Sequence, residues 1–145
     1  MKVVLQRVKK ASVEVNKKPV SSIKRGLLVF LGVEKDDDGS EIEYLANKIS
    51  NLRIFPDDKK GMNLSLKDIN GEIMLVSQFT LCAKTKKGRR PYFTNAASPN
   101  KAKKLYKDFA EKLKGHGILT KTGIFAADMK IALINDGPVT ICLER

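Results

Sequence analysis

Apolar residues along this chain recur at period two, in unbroken runs and at helical period, in an order that predicts strands interleaved with two helices. Residues 3–8 read as a strand, and 11–16 alternate cleanly enough for a second, so the pair predicts a hairpin with Lys9 and Lys10 near its turn. Residues 19–22 read as a short connection in which Val20 and Ile23 have room for brief pairing. The run 27–33, apolar throughout, predicts a central strand covered on both faces and ended by Asp36, Asp37, Asp38 and Gly39. Ile42, Leu45, Ala46, Ile49 and Leu52 then form one helical stripe, opened by Ser40 and Glu43 at capping-box spacing. A strand exit at 53–55, a polar loop over 56–61 and a short edge strand at 62–66 follow. Asn70-Gly71 is a turn signal leading into the apolar run that begins at Met74.

The second helix starts with Ser98 as cap and Pro99 at its first position. It carries Ala102, Leu105, Tyr106, Phe109 and Leu113 inward and stops at Gly115. Residues 118–125 read as a strand broken at Gly123, 129–134 alternate, and 139–143 form the last strand. The fold class is α and β mixed, of α+β type: a mostly antiparallel β-sheet or open barrel with two packed helices, in a single domain over 1–145.

Chemistry concentrates in one stretch, Met74 through Ala83. Its apolar opening gives way to Ser77, Gln78 and Thr80 among apolar neighbours, followed by the basic residues Lys84, Lys86, Lys87, Arg89 and Arg90. Strand alternation would put Ser77, Phe79 and Leu81 on one face and Gln78 and Thr80 on the other. Polar groups inside a sheet need hydrogen-bond partners or a cleft to face. An ordinary edge strand with its polar residues in water is the competing reading, and by the same reading Phe79 is a core residue.

Composition narrows the function classes. The chain has 28 Lys and Arg against 16 Asp and Glu, a formal net charge of +12, which favours a polyanionic partner through long-range steering and phosphate neutralisation. Surface lysine also serves solubility alone, so nucleic-acid binding stays open on charge by itself. Nothing resembles a transmembrane run or a secretory leader, and two cysteines, Cys82 and Cys142, in strand-like apolar contexts read as reduced core thiols. A cytoplasmic location and no membrane contact are therefore expected.

The side chains exclude several chemistries. His116 is the one histidine; it follows a helix-ending glycine and reads as a surface loop residue. No nucleophile elbow, phosphate-binding fingerprint or metal-ligand spacing is present, and the Asp36–38 run suits a helix start better than a cation, so no metal and no cofactor are expected. Ser77, Gln78, Thr80 and backbone amides remain. Without a neighbouring base they make a poor nucleophile but a workable site for a labile substrate, with fixed N–H donors for an oxyanion.

Several strings together resemble the D-aminoacyl-tRNA deacylase family over essentially the whole chain. They are Gln6-Arg7-Val8, Ser77-Gln78-Phe79-Thr80-Leu81, Lys87-Gly88-Arg89-Arg90-Pro91, Gly123-Ile124-Phe125 with Ala127 and Met129, and Asn135-Asp136-Gly137-Pro138-Val139-Thr140. The resemblance implies hydrolysis of the ester of D-aminoacyl-tRNA, with glycyl-tRNA as a further substrate, by a homodimer whose active site crosses the subunit boundary. It implies that Ser77, Gln78, Phe79 and Thr80 line the pocket, and that Gly137 and Pro138 of the other subunit enter it in the cis form as a chiral filter. The basic residues Lys84, Lys86, Lys87, Arg89 and Arg90 are expected to hold the tRNA end. Two rival readings are an RNA-binding module without activity and a structural oligomer whose Gly-Pro element fixes a dimer; Gly137-Pro138 between strands is, on its own, an ordinary turn.

Overall fold

In the computed structural model, which describes residues 1–59 and 61–145, the chain forms a six-stranded mixed sheet that curls toward a barrel, with two helices packed on it. Lys60, inside the expected 56–61 loop, lies outside the described residues. The first strand, β1, runs over Lys2–Val15 without a break. The hairpin expected at Lys9 and Lys10 is therefore absent: both side chains are exposed on a bend, where pairing with the last strand shifts register between Gln6 and Lys10. A charged pair on a bulge satisfies the same need for water as a turn would. The turn lies instead at Asn16 and Lys17, both at positive φ (51° and 62°), the backbone that a two-residue hairpin requires. Lysine rarely adopts it, so the sequence signal is weak.

β2 (Lys18–Ile23) and β3 (Gly26–Gly32) both pair antiparallel with the same edge of β1, β3 along its first half and β2 along its second. The connection expected at 19–22 is thus strand. β3 then pairs in parallel with β4 (Glu72–Ser77), and β4 in parallel with β5 (Thr120–Thr122). Parallel pairing needs long crossovers. α1 (Glu41–Asn51) lies in the first and α2 (Pro99–Gly115) in the second. The curl nearly closes where Ser21 Oγ on β2 donates to the Thr122 carbonyl on β5 at 2.9 Å.

The last strand, β6, is one element over Lys130–Glu144 rather than two, antiparallel to the free edge of β1. Its register against β1 steps from Val8↔Asn135 to Gln6↔Thr140, so residues 136–139 bulge out opposite the single residue Arg7. Residues 53–55 and 62–66 form no strand but an isolated bridge from Phe55 to Leu64, beside which the Arg53 guanidinium donates to Asn63, and the 118–125 strand is reduced to β5.

β3 and β4 are buried on both faces, as an unbroken apolar run requires. Leu27, Val29, Ile73 and Leu75 face a large cluster with Leu45, Ile49, Phe55 and Phe109, while Leu28, Met74 and Val76 face a smaller one with Val8, Val13 and Ile23. Each such side chain contributes about 1.5–3 kcal/mol, so this double-faced pair is the rigid element from which the rest is hung. The α1 start differs from the capping box: Ser40 is itself helical (φ −61°, ψ −24°) and makes no side-chain cap. Asp38 accepts the Ser40 N–H at 2.9 Å instead, a bond that lowers its carboxyl below the ordinary range. Asp37 turns inward to the Met1 ammonium (2.7 Å) and the Glu34 N–H (2.6 Å).

Candidate functional site

β4 ends at Ser77, and the strand does not continue to Ala83 as alternation suggests. Gln78 keeps one strand-like bond, its N–H to the Leu31 carbonyl at 2.8 Å, and the chain then winds into a 3₁₀ turn over Phe79–Cys82. Gly32 makes room for that turn: a Cβ there would stand 3.0 Å from Leu81 Cβ and 3.1 Å from the Gln78 carbonyl oxygen. The consequence is that Ser77, Gln78 and Phe79 spread around a strand end instead of alternating across it. Cys82 is buried under the turn, where burial pushes its thiol up. Cys142 is exposed on β6 and not a core thiol.

A cavity of about 520 Å³ opens at this strand end. Val76, Ser77, Gln78 and Phe79 form one wall, Pro99 and Ala102 at the start of α2 a second, and the segment 125–129 with Ile131 a third. Thr80 stands beside the cavity rather than in its lining, exposed, with its Oγ1 accepting a hydrogen bond from Gln78 Nε2 at 2.5 Å. Phe79 is 55% exposed and so is not core; its ring meets Phe93 edge-on at 5.0 Å. No carboxylate or imidazole partners the Ser77 or Thr80 hydroxyl among the described residues. His116 lies elsewhere, at the C-terminus of α2, half-buried rather than a surface residue, with Nε2 3.6 Å from Glu43 Oε1.

The basic segment follows at once. Lys84 and Tyr92 exchange backbone hydrogen bonds (2.8 and 3.0 Å), closing a hairpin whose loop turns at Gly88 with φ 69°. Lys84, Lys86, Lys87 and Tyr92 line a second open cavity of about 700 Å³, with Arg89 and Arg90 exposed outside it. None of these five cations forms an ion pair among the described residues.

Gly137 and Pro138 are exposed at the tip of the β6 bulge, joined by a cis peptide bond, and lie outside the lining of both cavities within one chain. Two side chains tie the bulge down. Asn135 Oδ1 accepts the Val139 N–H at 2.8 Å, while its Nδ2 donates to Gln6 Oε1 at 3.1 Å and Thr140 Oγ1 at 3.2 Å. The buried Arg7 guanidinium donates to the Asp136 carbonyl (2.6 Å) and the Ile54 carbonyl (2.5 Å). A Cβ on Gly137 would come within 2.8 Å of Arg7 Nη2, so the glycine admits the arginine as well as the φ of 142°.

Sequence reasoning missed the site relevance of Ala126, Asp128 and Tyr92. Ala126 sits at φ 63° in the cavity wall, a left-handed conformation that alanine rarely adopts and that no local pattern reveals. Asp128 is a carboxylate in the lining, but it falls at an unquoted position between Ala127 and Met129 of the fourth string.

The profile of the family described as D-Tyr-tRNA(Tyr) deacylase matches residues 4–144. The D-aminoacyl-tRNA deacylase of Thermosipho melanesiensis is 57% identical over 145 residues, covering 99% of this chain and 97% of that protein. That of Thermotoga petrophila is 55% identical over 144 residues, with the same coverage. Among solved structures, the c-Myc DNA unwinding element binding protein superposes with TM-score 0.93 at 42% identity, covering 100% of this chain and 99% of its own. A probable eukaryotic D-amino acid tRNA deacylase shares the fold at TM-score 0.86 and 18% identity, covering 98% of this chain and 97% of its own. With the strand-end cavity, the basic hairpin and the tethered Gly-Pro bulge falling on the strings that first suggested it, this chain belongs to the D-aminoacyl-tRNA deacylase family.

Proposed function

We infer that the protein hydrolyses the ester joining a D-amino acid to tRNA, releasing both and so proofreading chirality in translation. The observation that carries this, beside family membership, is a cavity at the end of β4 that offers Ser77, Gln78 and backbone amides without a base to activate a hydroxyl. Such a site binds and polarises an ester already labile in itself. It is suited to electrostatic stabilisation rather than covalent attack.

In this reading the aminoacyl group enters the cavity with its carbonyl oxygen toward the amides at 79–80 and Thr80, which is held in place by Gln78. Water adds to the carbonyl carbon, the ester C–O bond breaks, and the proton passes to the departing ribose oxygen. The ribose hydroxyl next to the ester supplies the polar group that the side chains lack. Lys84, Lys86, Lys87, Arg89 and Arg90 hold the tRNA end. The working unit is a homodimer in the cytoplasm, with Gly137 and Pro138 of one subunit at the Ser77 to Thr80 strand end of the other. There the backbone carbonyls of the bulge receive the substrate ammonium, and an L side chain collides with them. Glycine, with no side chain to collide, is accepted, and glycyl-tRNA is a second substrate. No described helix is long and apolar enough to cross a membrane.

The test is ester loss from D-Tyr-tRNA and L-Tyr-tRNA with the purified protein. Loss of D with L spared is expected. Binding of both without ester loss would reduce the protein to an RNA-binding module, and full activity in a fraction shown by light scattering to be monomeric would overturn the cross-subunit site.

A further inference from the structure

We propose that Tyr92 is a stacking platform for an unpaired nucleotide of the acceptor end, so that the hairpin reads single-stranded RNA rather than supplying charge alone. This rests on the tRNA substrate inferred above, and adds to it a recognition residue and a ligand part, a nucleobase.

The side chain is placed for this and explained by nothing else in the chain. Tyr92 is 55% exposed, although an aromatic of this size ordinarily buries much of its ring. Its hydroxyl has no hydrogen-bond partner among the described residues, and a Cβ on Gly88 would stand 3.9 Å from it, so it lies over the turn of the hairpin without being bound there. Its backbone, in contrast, is held by both bonds to Lys84, so the ring projects from a fixed point. Around it the cavity is lined by Lys84, Lys86 and Lys87, all without ion pairs, and by Thr85 and Thr94. An exposed ring flanked by unneutralised cations is the arrangement that binds single strands, the ring taking a base face and the cations the phosphates on either side.

The ring is also connected to the site. Phe93, the next residue, packs edge-on against Phe79, which lines the strand-end cavity. An acyl group held at Phe79 therefore leaves its ribose near the hairpin, and the nucleotides before it pass across the Tyr92 cavity. An acidic peptide would satisfy the lysines but would leave the ring unused, so RNA is the partner the observations favour.

The experiment uses an RNA hairpin of acceptor-stem length with a single-stranded 3′ tail carrying 2-aminopurine at each tail position in turn. The full-length protein is compared with Tyr92→Phe and Tyr92→Leu, the latter keeping apolar bulk without a π face. Wild type and Tyr92→Phe are expected to quench one tail position, and Tyr92→Leu to lose that quench. In deacylation of D-Tyr-tRNA, Tyr92→Leu should raise KM about fivefold or more at unchanged kcat, since one base stacked on an aromatic is worth about 5- to 150-fold in binding. Absence of a Tyr92-dependent quench at every position would overturn the proposal, as would a change in oligomeric state with the quench unchanged. Wild type that deacylates normally beside an unaffected Tyr92→Leu sinks the platform and leaves the enzyme reading intact. A Tyr92-dependent quench in a protein that deacylates nothing does the reverse.

Discussion

Replacing Arg7 by Met should loosen the Asp136 to Pro138 bulge while keeping most of the apolar stem in place. Arg7 is 7% exposed, and its guanidinium donates to two carbonyls, those of Asp136 and Ile54. Hydrogen bonds from charged groups contribute about 1.5–3 kcal/mol each, and an abandoned buried acceptor costs about 1–3 kcal/mol. The Asp136 carboxylate, with Oδ2 3.9 Å from Arg7 Nε and Oδ1 4.0 Å from Lys9 Nζ, adds little, because it is partly in water. Partial relaxation of the bulge toward solvent recovers some of the loss, which leaves about 2–4 kcal/mol of destabilisation. With a urea slope of about 2 kcal/mol per molar, the midpoint should fall by about 1–2 M at fixed protomer concentration. The functional consequence is separate. A bulge freed from Arg7 should lose discrimination between D-Tyr-tRNA and L-Tyr-tRNA in single-turnover deacylation before it loses the ability to bind tRNA. A folded, dimeric Arg7→Met protein with the wild-type midpoint and undiminished rejection of L would refute the clamp.

Three further outcomes follow from other parts of the chain. Lys86→Gln combined with Lys87→Gln should raise KM for charged tRNA and flatten the dependence of log binding on log salt by about 0.7–0.9 per lost phosphate contact, read from a salt titration. Thr80→Ala should lower kcat by about 10²-fold at most while leaving a measurable rate, as for loss of one oxyanion donor, and mass spectrometry should find no acyl ester on Thr80 in the wild type. Burial pushes the Tyr106 hydroxyl up to about 12 from an ordinary 10.0. Above the lower value the unfolded chain gives up this proton and the folded chain does not. Its share of stability is thus whole below pH 10 and lost as pH rises toward 12. Tyr106→Phe should remove that part of the alkaline slope in denaturation curves taken across the range, and should cost about 0.5–1.5 kcal/mol at neutral pH by removing one bond to the Leu75 carbonyl, which keeps the Gly123 N–H.

What could be read from the sequence was whatever one local pattern determines. β3 and β4 declare themselves as unbroken apolar runs, α1 and α2 as stripes at helical period, and their burial follows from those patterns. Where two physical needs share one signal, the reading slips. Lys9 and Lys10 need water, which a bulge supplies as well as a turn, and the true turn hides in Asn16 and Lys17 because only backbone dihedrals distinguish it. The 3₁₀ turn after Ser77 depends on space at Gly32, far away in sequence, and so the alternation of Phe79 and Thr80 could not be judged locally. The candidate site residues were nominated by resemblance, not periodicity. Nothing in the spacing of Arg7 and Gly137 announces that one needs the other's missing Cβ.

Asp128 offers the sharpest check on where the substrate ammonium is received. It is a carboxylate in the lining of the strand-end cavity, and electrostatics alone would nominate it over any backbone carbonyl. Its surroundings argue otherwise. The side chain is 84% exposed, and both oxygens lie 3.1 Å from Lys130 Nζ, so the negative charge it would offer a substrate ammonium is already countered by a lysine. In water an ion pair of this kind contributes about 0–1 kcal/mol, at most a factor of about five in binding. It is also non-directional, so it would hold the ammonium of D and L residues alike and could not select between them. Carbonyls on a bulge fixed by Asn135 and Arg7 are weaker acceptors but are rigidly aimed, and rigid aim is what discrimination at an α-carbon requires. Asp128→Asn should therefore leave KM for D-Tyr-tRNA within about fivefold and leave the ratio of D to L rates unchanged, with Lys130→Gln as the companion variant that frees Asp128. Collapse of D deacylation in Asp128→Asn, with folding and dimerisation intact, would transfer the ammonium to that carboxylate and remove the bulge carbonyls from the recognition step.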